Sequence, residues 1–110
     1  MSKKLYAVIW EFQVKSESLS EFERVYGPNG LWAQLFRHNP EYLGTELLHD
    51  IGHRAGHLAR YLTIDRWTSL DAFSQFKRDF AAEYGALDEK CERLTASETL
   101  LGEFEAVATS

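Results

Sequence analysis

The residues from Leu5 to Val14 alternate as an extended strand does. Tyr6, Val8, Trp10, Phe12 and Val14 fall on one face, and Leu5, Ala7, Ile9, Glu11 and Gln13 fall on the other, because successive side chains of a strand point to opposite sides. The central run Ala7-Val8-Ile9-Trp10 is apolar on both faces. A strand of that kind has to be covered above and below, and the rest of the chain must supply the covers.

The first cover is a helix. Ser18, three residues before Glu21, suits a capping box in which each side chain satisfies the other's free backbone N–H. Leu19, Phe22, Val25 and Tyr26 recur at helical spacing, and Trp32, Leu35 and Phe36 resume it. Between them Gly27-Pro28-Asn29-Gly30 predicts a break, since Pro28 has no N–H and glycine loosens the backbone. Asn39-Pro40 predicts the end. Tyr42 to Asp50 reads as a second strand, Ile51 to Ala59 as a loop with two glycines, and Arg60 to Trp67 as a third strand. Thr68 with Asp71 forms an N-cap signal, followed by a stripe of Leu70, Phe73, Phe76 and Phe80 that marks a second helix. Gly85 is the expected stop, with a short helical piece over Leu87, Cys91 and Leu94. The last strand runs from about Glu98 to Val107, with Leu100 and Phe104 on one face and Leu101 and Val107 on the other.

The order is β-α-β-β-α-β, which predicts an α+β, ferredoxin-like fold with a four-stranded antiparallel sheet and both helices on one side. At 110 residues the chain makes a single domain over 1–110. The helices leave the second side of the sheet bare, where Ala7 and Ile9 alternate with Val8 and Trp10, and Leu62 and Ile64 with Tyr61 and Trp67. A second copy of the chain is the simplest cover, so a homodimer is expected.

Charge and composition remove several function classes. Seventeen acidic against 12 basic residues give a net charge of −5, and the basic residues are scattered, which argues against nucleic acid. No apolar run reaches the roughly 18 residues a membrane helix needs. The opening Met1-Ser2-Lys3-Lys4 leads into the strand without a small-residue cleavage site, so a cytoplasmic protein is expected. Cys91 is the only cysteine. It can form neither an internal disulfide nor a multi-cysteine metal site, and its spacing reads as a small buried hydrophobe. No Ser-His-Asp spacing, phosphate-binding glycine loop or dinucleotide fingerprint is present.

Several residues carry candidate chemistry. Asp65 shares a strand face with Tyr61, Thr63 and Trp67. A carboxylate buried there either pairs with Arg60 or Arg66 or has a raised pKa and becomes a candidate base. Glu11 and Glu46 invite the same reasoning. His49, His53 and His57 recur every fourth residue, but Gly52 and Gly56 interrupt them, so they read as loop histidines and no metal site is expected. Trp67 either walls a pocket or wedges the second helix against the sheet. Tyr26, Trp32 and Tyr42 flank the Gly27–Gly30 break, where the space between helix and sheet could open.

The segment Asp65-Arg66-Trp67-Thr68-Ser69-Leu70-Asp71-Ala72-Phe73 resembles the dimeric α+β barrel superfamily, and within it the antibiotic biosynthesis monooxygenase (ABM) group. Trp32 to Phe36, Tyr42-Leu43-Gly44-Thr45-Glu46-Leu47 and Leu101-Gly102-Glu103-Phe104 fit the same pattern. The resemblance implies two sheets meeting face to face as a barrel, each subunit keeping a small-molecule cavity between sheet and helices. Some members oxidise polyphenolic or quinol-like substrates with O₂ and neither metal nor flavin; others degrade haem. Haem degraders resemble one another in an Asn on the first strand, a Trp after the third and a His on the second helix. Only Trp67 matches that set, and Lys77 lies about where the His would fall, so no axial ligand is in sight.

The resulting expectation is a homodimeric, monooxygenase-like protein that needs no cofactor and acts on a small phenolic or quinol compound with O₂. Asp65 or His49 would accept the proton, and Trp67, Tyr61, Tyr42, Trp32 and Tyr26 would wall the site. The alternative is a non-enzymatic dimeric barrel that binds a small apolar ligand or has a purely structural role.

Overall fold

The first strand, β1 (Tyr6–Lys15), lies inside a four-stranded antiparallel sheet ordered β2-β3-β1-β4. The computed structural model describes residues 5–52 and 56–107; His53 of the regularly spaced histidines lies outside them. After β1 come α1 (Leu19–Tyr26) and α2 (Leu31–Phe36), then β2 (Tyr42–His49) and β3 (Leu58–Trp67), then α3 (Leu70–Asp79) and α4 (Ala81–Cys91), and last β4 (Ser97–Glu105). This is the expected α+β, ferredoxin-like architecture. Among the described residues no helix is long and apolar enough to cross a membrane.

The local signals hold in part. The Gly27–Gly30 break separates α1 from α2, and a Cβ on Gly30 would sit 2.2 Å from the Val25 carbonyl oxygen, so only glycine fits there. Ser18 makes no side-chain cap, because Glu21 is drawn to Arg93 at 2.5 Å instead. The second cap belongs to Ser69, which accepts from the Ala72 N–H at 3.1 Å, while Thr68 donates to Glu41. Gly85 does not stop a helix. The break falls at Phe80, with φ −121° and ψ 30°, and α4 runs through Gly85. The helix formers Ala81, Ala82, Ala86 and Leu87 outweigh the roughly 1 kcal/mol that one glycine costs. In β4 a bulge lies opposite Ile9 and Trp10, so Leu100 pairs with Trp10 on the helix side and Phe104 pairs with Ala7 on the other. The two share no face, contrary to simple alternation.

The two sides of the sheet are built differently. Towards the helices, Tyr6, Val8, Phe12, Val14, Tyr61 and Trp67 are buried against Phe22, Tyr26, Phe36, Phe73 and Phe76. Trp67 has no exposure, with the rings of Phe36, Tyr42, Phe73 and Phe76 packed 5.2–5.5 Å away. The outer side carries Ile9, Leu62 and Ile64, half-buried, and Leu48 and Phe104, exposed. Around them Arg60 reaches Glu11 at 2.6 Å and Asp50 at 2.9 Å, and Arg66 pairs with Glu46.

Candidate functional site

A cavity of about 240 Å³ opens between the sheet and the helices. Its walls are aromatic: Trp10 and Phe12 from β1, Tyr26 from α1, Trp32 and Phe36 from α2, and Tyr84 from α4. Its polar groups are Thr63 and Asp65 from β3, Asp88 from α4 and Glu98 from β4. The strand register explains the grouping, since Trp10 faces Thr63 across β1 and β3, and Phe12 faces Glu98 across β1 and β4. Tyr84 and Asp88, one turn apart, project from the same side of α4.

Asp65 is the centre of this arrangement. Thr45 Oγ1 donates to Asp65 Oδ1 at 2.6 Å, and the Tyr42 hydroxyl, 2.5 Å from Thr45 Oγ1, donates to it in turn. A regular strand would place residues 42 and 45 on opposite faces. An irregularity in β2 lets Tyr42 pair with Trp67, Gly44 with Arg66 and Thr45 with Asp65, so that both hydroxyls face the cavity side. Gly44 makes this possible with φ 138°, a conformation that a side chain rarely adopts.

Among the described residues no cation pairs with the carboxylate. Arg60 and Arg66 are engaged on the outer side by Glu11, Asp50 and Glu46, so the ion pair expected for Asp65 does not form. Burial therefore lifts the Asp65 pKa to about 6, and the Thr45 hydroxyl bond holds it from rising further. The same surroundings act on the neighbours. Burial and then the charges of Asp88, Asp65 and Glu98 push Tyr84 up to about 12. Partial burial and the negative charges of Asp88 and Glu92 raise Glu98. The Tyr26 phenol is raised chiefly by burial. Among the described residues, the buried Trp32 Nε1 has no hydrogen-bond partner.

Of the residues singled out from sequence, Asp65, Trp32 and Tyr26 come together in the cavity, and Tyr42 supports Asp65 through Thr45. Trp67 does not line it and is sealed in the core. Tyr61 is buried, donates to Glu23 at 2.5 Å, and stacks on His49 with ring centroids 4.5 Å apart. His49 is exposed at the end of β2 and does not line the cavity. Tyr84, Asp88, Glu98 and Thr45 were missed. The i, i+4 spacing of Tyr84 and Asp88 could have revealed the first two; Glu98 and Thr45 needed the strand register. Among the described residues no three His, Cys, Asp or Glu side chains gather to hold a metal.

No family model and no curated protein matches the chain. Solved structures do. A variant of SnoaB, a cofactor-independent oxygenase from Streptomyces nogalater, is 24% identical with a TM-score of 0.59, over 96% of this chain and 95% of that one. A dimeric ferredoxin-like protein of unknown function from Thermobifida fusca is 15% identical with a TM-score of 0.63, over 94% and 92%. A Pseudomonas aeruginosa protein is 16% identical with a TM-score of 0.62, over 98% of both chains. Along nearly its whole length, the chain has the α+β ferredoxin-like fold of these proteins.

Proposed function

We propose that this protein is an ABM-like, cofactor-independent oxygenase of small aromatic compounds, with Asp65 as the proton acceptor. The observation that carries the reading is Asp65 itself: a carboxylate in an aromatic cavity, held by the Tyr42–Thr45 hydroxyl relay and paired with no cation among the described residues. A base with a pKa of about 6 is largely ionised at neutral pH and still lies close to the operating range, where general-base catalysis is most effective. The likeness to SnoaB, whose reaction is described as cofactor-independent oxygenation, supports the reaction class.

The chemistry closes on substrate and O₂ alone. Asp65 takes a proton from a phenol or from an activated ring CH₂ of a quinol-type compound. The resulting anion passes one electron to O₂, and the carbon radical and superoxide combine as a peroxide. The peroxide takes the proton back from Asp65, restoring the carboxylate, and loss of water then leaves a new carbonyl. One oxygen atom stays in the product, and the other leaves as water with the two hydrogens the substrate has lost. The substrate enters protonated, because Asp65, Asp88 and Glu98 oppose an incoming anion. Proton transfer then neutralises Asp65 as the substrate becomes negative, so the charge within the cavity stays constant. The aromatic walls orient the flat ring and exclude water.

Oxygen uptake with anthrone and quinol substrates tests this. Asp65→Asn should lower the rate by about 10²-fold or more, with folding intact by circular dichroism. A wild-type rate no greater than that of the variant overturns the proposal. The homodimer belongs to the same reading: Ile9, Leu62 and Ile64 would be covered by the partner's sheet. Light scattering should show a dimer for the wild type and a monomer for Ile64→Asp; a wild-type monomer removes the barrel.

A further inference from the structure

The site residues are unbalanced in a way that bears on what the cavity accepts. Three of its four polar lining residues are carboxylates, and neither lysine nor arginine lines it. Lys77, whose Nζ lies 5.9 Å from the centre of the Tyr84 ring, lines a separate hollow with Phe73 and Glu103. Asp88 and Glu98 are solvent-exposed at the rim, whereas Asp65 is half-buried. Among the described residues no ion pair engages Asp88 or Glu98. The lining also includes the Trp32 indole, nine-tenths buried, whose N–H has no hydrogen-bond partner among the described residues.

Each feature asks for a matching ligand atom. An indole N–H without an acceptor and a carboxylate with a raised pKa together suit a ring hydroxyl, which accepts from the first and donates to the second. Exposed carboxylates in a lining that also holds the Trp10 and Tyr84 rings suit a positive charge, because aromatic rings attract cations and the carboxylates add Coulomb energy. We propose that the cavity selects hydroxylated aromatic compounds bearing a cationic amine, with the ring hydroxyl at Asp65 and Trp32 and the ammonium at Asp88 and Glu98. This names the substrate class for the reading above and rests on this cavity being the binding site; it does not depend on the oxygen chemistry.

Three probes of one ring size separate the charge effect from the shape: tyramine (cation), 4-ethylphenol (neutral) and 4-hydroxyphenylacetate (anion). Affinities measured by calorimetry at neutral pH and low salt should place tyramine at least about tenfold tighter than 4-ethylphenol, roughly 1.4 kcal/mol, with 4-hydroxyphenylacetate weakest. The double variant Asp88→Asn/Glu98→Gln should cut the spread among the three at least about threefold, the remainder coming from ionised Asp65. Both positions are exposed, so the fold should survive; Glu98→Gln alone serves as a milder check and should lose part of the preference. High salt should also compress the preference, since rim charges are screened. Anion binding as tight as tyramine, a preference undiminished in the double variant, or no binding by any probe overturns the proposal. A charge preference without oxygen uptake removes the oxygenase reading and leaves this one standing.

Discussion

The two faces of β3 treat their charged residues differently. Its outward residues include Arg60 and Arg66, each held by carboxylates from neighbouring strands. Its inward residues include Tyr61, Thr63, Asp65 and Trp67, among which the only charge is Asp65. Acidic residues occur on both sides, but the arginines of the strand occur on one. An acid opposite an arginine is a solvated ion pair of little energetic weight. An acid in an aromatic cavity with a single hydroxyl donor is a base poised near neutral pH. Alternation along ten residues thus separates the ion-paired carboxylates from the one in the cavity.

If the inward face is the true core, truncating it should be the most damaging change in the protein. Phe76→Ala, which empties a fully buried site beside Trp67 and Phe36, should cost about 3–5 kcal/mol in urea unfolding. A cost under about 1 kcal/mol would mean that the two faces are less different than they look. Next in size is the inward charge. The folded pKa of Asp65, about 6, lies above the ordinary value of 3.8. Between those values the folded protein keeps a proton that the unfolded chain has lost, so stability falls as pH rises across this window and is flat above it. Asp65→Asn removes the penalty. It should match the wild type near pH 4 and exceed it above pH 6, by on the order of 2 kcal/mol. Equal stability at both pH values would show that Asp65 is solvated like the outer acids.

The legible part of this design is the part that periodicity encodes. The strand faces of β1 and β3, the broken helix at Gly27–Gly30 and the apolar stripe of α3 could all be read from spacing, and they place Asp65, Trp32 and Tyr26 on the cavity side. What could not be read depends on register. Thr45 reaches Asp65 only because Gly44 sits at an irregularity that turns residues 42 and 45 to one face, and strict alternation gives the opposite result. Glu98 faces the cavity through its pairing with Phe12, while the β4 bulge a few residues later moves Phe104 to the outer side. Caps proved equally local. Ser18 and Glu21 have the right spacing, yet Arg93, 72 residues away in sequence, competes for the glutamate. A tertiary ion pair of this kind leaves no trace in a short motif.

The hydroxyl relay offers a finer test of the inward face. Thr45→Val keeps the shape and removes the donor to Asp65. The carboxylate then loses what opposes its burial, so its pKa should rise above 6 and the pH at which oxygen uptake switches on should move upward by up to about one unit. Stability near pH 7 should drop by on the order of 1 kcal/mol, with less effect near pH 4, where Asp65 is neutral. Thr45→Ser should restore the profile. An unchanged pH profile in the valine variant would mean that the relay does not act on the reacting group.

The smallest effect belongs to the outer face. Arg66 and Glu46 pair with each other while both remain about half exposed. Arg66→Gln should therefore change stability by less than about 1 kcal/mol, and salt should abolish even that difference. The cavity lies on the opposite side of the strand, so the pH at which oxygen uptake switches on should stay where it is. The contrast with Asp65, one residue earlier, is the sharpest comparison the molecule offers. The two side chains are sequence neighbours and bear opposite charges, yet one should govern the pH response and the other should leave it untouched. If Arg66→Gln shifted the profile as far as Thr45→Val, the strand would transmit charge effects across its faces, and the separation of the ion-paired carboxylates from the one in the cavity would fail.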